Sequence, residues 1–129
     1  MRRCYIAGPM RGIPEYNFPA FHSAAKELRA RGWYVYSPAE MDTVFLAPEV
    51  VDPASYTVGA PVNDSRIYVR RDLHIIVNEL HDGDAVILLP GWERSSGAMA
   101  EAAVAKWCEL RVLSLEEALV VDCSCPNLQ

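Results

Sequence analysis

The sequence predicts an α/β protein: a single-domain, three-layer sandwich, Rossmann-like or flavodoxin-like, around a mostly parallel sheet of four to five strands. Three observations predict it. Short apolar runs stop at Gly or Pro, as buried strands do; segments of helical period lie between them; and the two kinds alternate along the chain, the pattern of parallel strands joined by right-handed helical crossovers. With 129 residues, 51% of them apolar, the chain can bury one sizeable core and has little left for a second domain.

Arg3 to Ala7 is short and apolar and runs into Gly8-Pro9, a buried strand feeding a turn. From about Asn17 to Arg31, Phe18, Phe21, Ala24, Ala25 and Leu28 recur at helical spacing, Lys26, Glu27, Arg29 and Arg31 take the other face, and Gly32 supplies the stop. Trp33 to Tyr36 is the second strand, ended by Ser37-Pro38. Residues 41–65 carry Pro48, Pro53, Gly59 and Pro61 without sustained period, which predicts a long loop or insertion of the kind that covers a substrate. From about Arg66 to Leu80, Ile67, Leu73, Ile76, Val77 and Leu80 predict a helix carrying Asp72. Asp84 to Leu89 is the clearest buried strand, with Asp82 and Asp84 as turn residues around Gly83. Pro90 to Gly97 is a turn, Ala98 to Trp107 an alanine-rich helix, Arg111 to Leu113 a last strand, and Leu115 to Val120 a final helical turn before a tail over 121–129.

Composition excludes several classes. A net charge of −5 argues against a nucleic-acid polymer as partner, because such a partner is held mainly by clustered Lys and Arg. No stretch approaches the ~20 apolar residues needed to span a bilayer. The start, Met1 to Pro9, meets Gly and Pro too soon for a signal peptide, so a soluble, cytoplasmic protein is expected, in the host cytoplasm if it is phage-encoded. Cys4, in a strand, and Cys108, in a helix, read as reduced core thiols, and Cys123 and Cys125 form a lone C-x-C that lacks the second ligand pair of a structural zinc site. His22, His74 and His81 lack ligand spacing and read as surface or satisfied residues, so no metal and no cofactor are expected.

In open parallel sheets ligands settle beyond the carboxyl ends of the strands. Gly8-Pro9-Met10-Arg11-Gly12 is one loop in that position: its glycines admit close backbone approach, and Arg11 can fork onto phosphate or carboxylate oxygens. By itself it is also the composition of an ordinary turn with a solvated arginine. Ser95-Ser96-Gly97 is the other, just before a helix whose first amides and positive dipole end attract anions, although either serine is equally a helix cap. Glu101 follows within the first turn or so, where a glutamate is normally dipole compensation or half of a capping box. Its small apolar neighbours Ala98, Met99, Ala100, Ala102 and Ala103 single it out as a lone carboxylate. Arg70-Arg71-Asp72 can be a solvated helix start with local charge pairs, and Trp92 either stacks on a base or caps the core.

Taken in order, Tyr5-Ile6-Ala7-Gly8-Pro9-Met10-Arg11-Gly12, Arg71-Asp72-Leu73, Asp84-Ala85-Val86 and Ser95-Ser96-Gly97-Ala98-Met99-Ala100-Glu101 resemble the nucleoside 2-deoxyribosyltransferase superfamily over about the first 115 residues. The resemblance is closest to the branch of 2′-deoxynucleoside 5′-monophosphate N-glycosidases and to short, often phage-encoded relatives that begin Tyr-Ile-Ala-Gly-Pro-Met. It implies that Glu101 attacks the anomeric carbon, that Tyr5 holds Glu101 in attacking geometry, and that Asp72 contacts the leaving base and assists its protonation. It implies that Gly8, Arg11, Gly12 and Ser95 bind the 5′-phosphate of a nucleotide substrate; Pro9, Ser96, Gly97 and Trp92, in the same two loops, are the further candidate substrate-binding residues.

The expected reaction is hydrolysis of the N-glycosidic bond of a (deoxy)nucleoside 5′-monophosphate through a covalent glycosyl-Glu101 intermediate. Base exchange by a 2-deoxyribosyltransferase and non-catalytic nucleotide sensing are the alternatives. Family members assemble as dimers or larger oligomers that share active sites, and Leu119 to Val121 is the expected exposed apolar segment here. Two departures stand out. Pro9 replaces a serine that holds phosphate in the hydrolases, and residues 41–65 have no counterpart; the serine lent by a neighbouring subunit has only Ser114 and Ser124 as candidates.

Overall fold

A computed structural model describes residues 1–45 and 66–120. They form a Rossmann-like three-layer α/β domain. In chain order the elements are β1 (Arg3–Ala7), a 3-10 turn (Pro14–Asn17), α1 (Phe18–Ala30), β2 (Tyr34–Tyr36), α2 (Pro38–Phe45), α3 (Arg66–His74) with a π turn (Ile75–Glu79), β3 (Ala85–Leu88), a 3-10 turn (Trp92–Arg94), α4 (Ser96–Trp107), β4 (Arg111–Ser114) and α5 (Leu115–Leu119). The four strands lie in the order β2-β1-β3-β4, every neighbouring pair parallel.

Strand alternation sorts the core into two layers. Cys4 and Ile6 of β1 pack with α1 residues such as Phe21 and Leu28, and with Ala118 of α5. Tyr5 and Ala7 point the other way, onto Ile75 and Ile76 of the π turn and Ala98, Ala102 and Ala105 of α4. The strand order makes this division necessary. From β1 the chain moves outward to β2, whereas from β3 it moves the opposite way to β4, and right-handed crossovers in opposite directions must cover opposite faces. The switch point between β1 and β3 is therefore where a ligand crevice beyond the carboxyl ends of the strands is expected.

Four expectations are corrected. Residues 41–45 are helical, closing α2, while 46–65 and the 121–129 tail with Cys123, Ser124 and Cys125 lie outside the described residues. Val77 is half exposed, because the π turn, in which the Leu80 amide donates to the Ile75 carbonyl at 3.1 Å, rotates it off the inward stripe. Cys108 is exposed, being the residue that ends α4. Leu119 packs against the first core layer, and its carbonyl accepts from Arg31 Nε at 2.7 Å, so only Val120 is left as an exposed apolar residue at that end of the described chain.

Two local features fix the two ends of the central strands. Asp84 is more than a turn residue: it is buried, and its carboxylate accepts from the Arg3 and His81 amides, each at 2.8 Å, tying the entry of β3 to that of β1. After β1, Glu15, Tyr16 and Asn17 all have φ between 52 and 61°, a left-handed turn that costs L-residues roughly 1–2 kcal/mol each. Asn17 Nδ2 donates to the Pro9 carbonyl at 2.9 Å, so this turn braces the Gly8–Gly12 loop. Gly8 is needed for close approach, since a Cβ there would lie 2.8 Å from Leu89 Cβ. We expect Gly8→Ala to cost about 1–3 kcal/mol, read as a lower Tm in thermal denaturation.

Candidate active site

The site begins with a side chain that belongs to the core. Tyr5 sits in the middle of β1 with no exposed surface, so its hydroxyl needs a partner inside the protein. It donates to Glu101 Oε2 at 2.7 Å. Small residues make the contact possible: Ala98, Ala102 and Ala105 form the inward stripe of α4, and Glu101 lies along its edge, one turn beyond Ala98. A helix faced with alanine packs close to the sheet, which brings a glutamate within reach of a phenol on the central strand.

Glu101 therefore stands in the second turn of α4, not the first. The helix is capped by Ser95, whose Oγ accepts from the Ala98 amide at 3.1 Å, and no acidic residue occupies the first turn. That removes dipole compensation and the capping box as reasons for Glu101. Its sequence neighbours Met99, Ala100 and Ala103 point to solvent, so the surroundings that matter come from β1 and α3 rather than from α4 itself.

The opposite wall is an ion cluster. Arg71 Nε and Nη2 both reach Asp72 Oδ1 at 2.8 Å, and Nη2 also reaches Asp42 Oδ1 at 2.7 Å. The Arg71 guanidinium lies over the Tyr68 ring, 5.6 Å from its centroid. The three charged side chains are largely buried, at 18% exposure for Arg71, 13% for Asp72 and 7% for Asp42.

Charge is correspondingly costly at the centre. Burial, reinforced by the charge of Asp72, pushes the Glu101 carboxyl up to about 8, against the opposing pull of the Tyr5 hydrogen bond and of Arg71. Burial also raises Asp72, with Arg71 and Tyr5 working in the other direction. The Tyr5 phenol is held well above its ordinary range by burial and then by the Glu101 and Asp72 charges, so it serves as a donor and not as an anion. At neutral pH Glu101 mostly keeps its proton, and both carboxyl groups face one hydroxyl.

Of the residues singled out from sequence, Tyr5, Asp72 and Glu101 are brought together, and the loop residues form a separate rim. Gly8 to Gly12 follows β1, and Trp92 to Gly97 follows β3; a Cβ on Gly91 would lie 3.3 Å from Pro9 Cγ, which shows how closely the loops approach. Arg11 and Gly12 are exposed, as are Ser96 and Gly97 in the first turn of α4, and among the described residues no hydrogen bond or ion pair joins Arg11 to the Tyr5 group. Ser95 is occupied as a cap through one lone pair, with its hydroxyl hydrogen still able to donate. Trp92 is partly buried and packs on the Tyr5 side of the sheet, the core-capping role of the two considered. Ser114 caps α5 in a reciprocal pair with Glu117.

Asp42 escaped sequence reasoning, and Arg71 was read only as a local charge partner of Asp72, although both left a further signal. Ser37-Pro38-Ala39-Glu40 has the Ser, first-position Pro and third-position Glu of a helix start, which would have brought Asp42 onto a helix. In α3 the pairs Ile67-Tyr68, Arg71-Asp72 and Ile75-Ile76 follow at four-residue spacing, so the charged pair interrupts an otherwise apolar stripe and cannot be a solvated start.

Among the described residues no helix is long and apolar enough to cross a membrane. No curated protein matches the chain. A family model described as Domain of unknown function (DUF4406) matches residues 2–114.

Proposed function

Since the chain belongs to the DUF4406 family, whose description carries no activity, we propose its function from the site itself: hydrolysis of the N-glycosidic bond of a (deoxy)nucleoside 5′-monophosphate. One observation carries the reading: a glutamate held at 2.7 Å by a fully buried tyrosine, beside a second buried carboxylate. Two carboxyl groups with one proton between them suit a bond whose breaking leaves positive charge on the sugar and negative charge on the base.

Glu101, deprotonated, forms a bond to the anomeric carbon as the C–N bond breaks and its electron pair passes to the base. Asp72, protonated, gives its proton to that base. Water then attacks the same carbon, returns a proton to Asp72 and frees Glu101, leaving base and (deoxy)ribose 5-phosphate. Tyr5 donates to the Glu101 oxygen throughout and so fixes its direction of attack. The cluster of Asp42, Asp72 and Glu101 outweighs the single Arg71 charge, a field that favours an oxocarbenium-like sugar over a neutral one.

The rim supplies the anion side of the substrate. Arg11, the Gly8 and Gly12 backbone, the Ser95 hydroxyl and the first amides of α4 at Ser96 and Gly97 lie on the loops that follow β1 and β3, and on this reading they take the 5′-phosphate and so hold the sugar over Glu101. Arg11→Ala is expected to raise KM for monophosphates by about tenfold or more, the scale of one charge-assisted contact, with little change for free nucleosides. An equal effect on both substrates would remove the phosphate site.

Met99, Ala103 and Trp107 recur at four-residue spacing on the outer face of α4, and Trp107 is 87% exposed. We take that stripe as the face where a second copy packs, completing neighbouring sites. Trp107→Lys should then convert a dimer to a monomer in sedimentation velocity; an unchanged sedimentation coefficient would place the contact elsewhere.

Incubation with a panel of nucleoside monophosphates and free nucleosides, with and without an acceptor base, tests the whole reading by chromatography of released base. Release from monophosphates without acceptor supports hydrolysis. Turnover confined to reactions with acceptor would replace it by base exchange, and tight binding without turnover by a sensor.

A further inference from the structure

Arg71 and Asp42 lie beyond the residues that the proposed reaction uses, yet they form a short and largely buried ionic contact, at 2.7 Å. We propose that Arg71, locked in place by Asp42, is a positioning residue that makes Asp72 the resting anion of the carboxylate pair and leaves the exchangeable proton on Glu101.

The argument is geometric. Two carboxylates approach one phenol, but their surroundings differ. Asp72 receives two nitrogens of a guanidinium at 2.8 Å. Glu101 receives the Tyr5 hydroxyl alone, and among the described residues no Arg, Lys or His makes an ion pair with it. When like charges share a buried site, the member with the cation ionises first and the other keeps the proton. The raised titration of Glu101, with Asp72 as its main electrostatic cause, agrees with that division.

Asp42 sets how strongly the device acts. It takes Arg71 Nη2 at 2.7 Å, the same nitrogen that meets Asp72, and it is the least exposed of the three. It restrains the guanidinium in position and also draws on its charge, so Asp72 is paired with only part of a cation. Among the described residues, the titratable groups that bear on the pair are Tyr5 on β1, Asp42 on α2, Arg71 and Asp72 on α3, and Glu101 on α4.

In turnover, which rests on the glycosidase reading, the consequence is specific. The resting form is the wrong tautomer for attack: Glu101 carries the proton that Asp72 must give to the base. Transfer of that proton from Glu101 to Asp72 creates nucleophile and acid in one step with no proton taken from solvent. Once on Asp72 the proton is held weakly, because Arg71 favours the anion, and a weakly held proton is the better one to donate to a departing base.

The test is a carbon-13 NMR titration of side-chain carboxyls, which needs no substrate, in wild type, Arg71→Gln, Arg71→Lys and Asp42→Asn. In wild type Glu101 should titrate well above Asp72. In Arg71→Gln the Asp72 titration should move up by roughly one to three pH units, the usual worth of a cation at such a distance. Asp42→Asn should move both Asp72 and Glu101 down, because it removes a carboxylate while keeping the cation. Arg71→Lys should restore most of the wild-type order. Should Arg71→Gln fail to fold, the Asp42→Asn shifts decide the matter alone. Unmoved titrations in the folded variants, or a wild-type Glu101 that titrates below Asp72, would overturn the proposal. Absence of nucleotide turnover with these shifts present would count against the glycosidase reading and leave this one standing.

Discussion

Glu101→Gln is expected to lose base release by roughly 10⁴-fold or more, the scale seen when a nucleophile is removed from a working set, while nucleotide binding stays close to wild type. An amide oxygen can still accept from Tyr5, so the variant tests the reaction rather than the fold. The same substitution is expected to stabilise the protein. Folding raises the Glu101 carboxyl to about 8, so the native state keeps a proton that the unfolded chain has already released. Between the ordinary glutamate range and about 8, each rise in pH therefore favours unfolding, and the loss levels off above about 8. Glutamine removes that penalty. Thermal melts should show little difference between variant and wild type near pH 4 and a growing advantage to the variant up to about 8, on the order of a few kcal/mol. Activity that survives the change would sink Glu101 as nucleophile; a stability difference independent of pH would show that its carboxyl is not held protonated.

Asp72→Asn should cost about 10²- to 10⁴-fold in kcat on substrates whose base must be protonated to leave. Asparagine keeps an oxygen for Arg71, so the ion cluster loses a charge and not its geometry. Two further readouts separate an acid from a structural residue. Substrates with bases that depart readily as anions should recover most of the loss. The limb of the kcat/KM profile that reports deprotonation of Glu101 should also move to lower pH, because the Asp72 charge is, after burial, the largest influence that holds it high. A uniform loss across leaving groups with an unshifted profile would assign Asp72 a role other than acid.

How much of this was legible in the sequence depends on whether a feature is local. The strands were, because β1, β3 and β4 are short runs that end at Gly, Pro or Ser and carry their own signal. Helix α1 was equally plain, its five buried residues following the helical period that places them. The site was legible only in part. Tyr5, Asp72 and Glu101 could be named through resemblance, but of the small neighbours of Glu101 only Ala98 and Ala102 face the sheet. Residues adjacent on a helix point in different directions, and what isolates Glu101 is a phenol 96 positions earlier in the chain. Asp42 and its pairing with Arg71 were missed because a contact between α2 and α3 is a tertiary fact, and because prolines further along the chain drew the helix at 38–45 into an apparent loop. The π turn lay outside any period-based reading, since a widened turn alters which residue faces inward without altering composition.

Tyr5 belongs to two structures at once: it is a fully buried member of the layer under α4, and its hydroxyl aims Glu101. Packing and chemistry therefore share one heredity in this domain. A lineage that exchanged Val86, Ile76 or Ala102 for residues of another size would tilt the phenol along with the core, and would drift in reactivity with no change at the mouth of the crevice. Divergence among relatives should accordingly be freest in the rim loops and most constrained in a layer that no substrate touches.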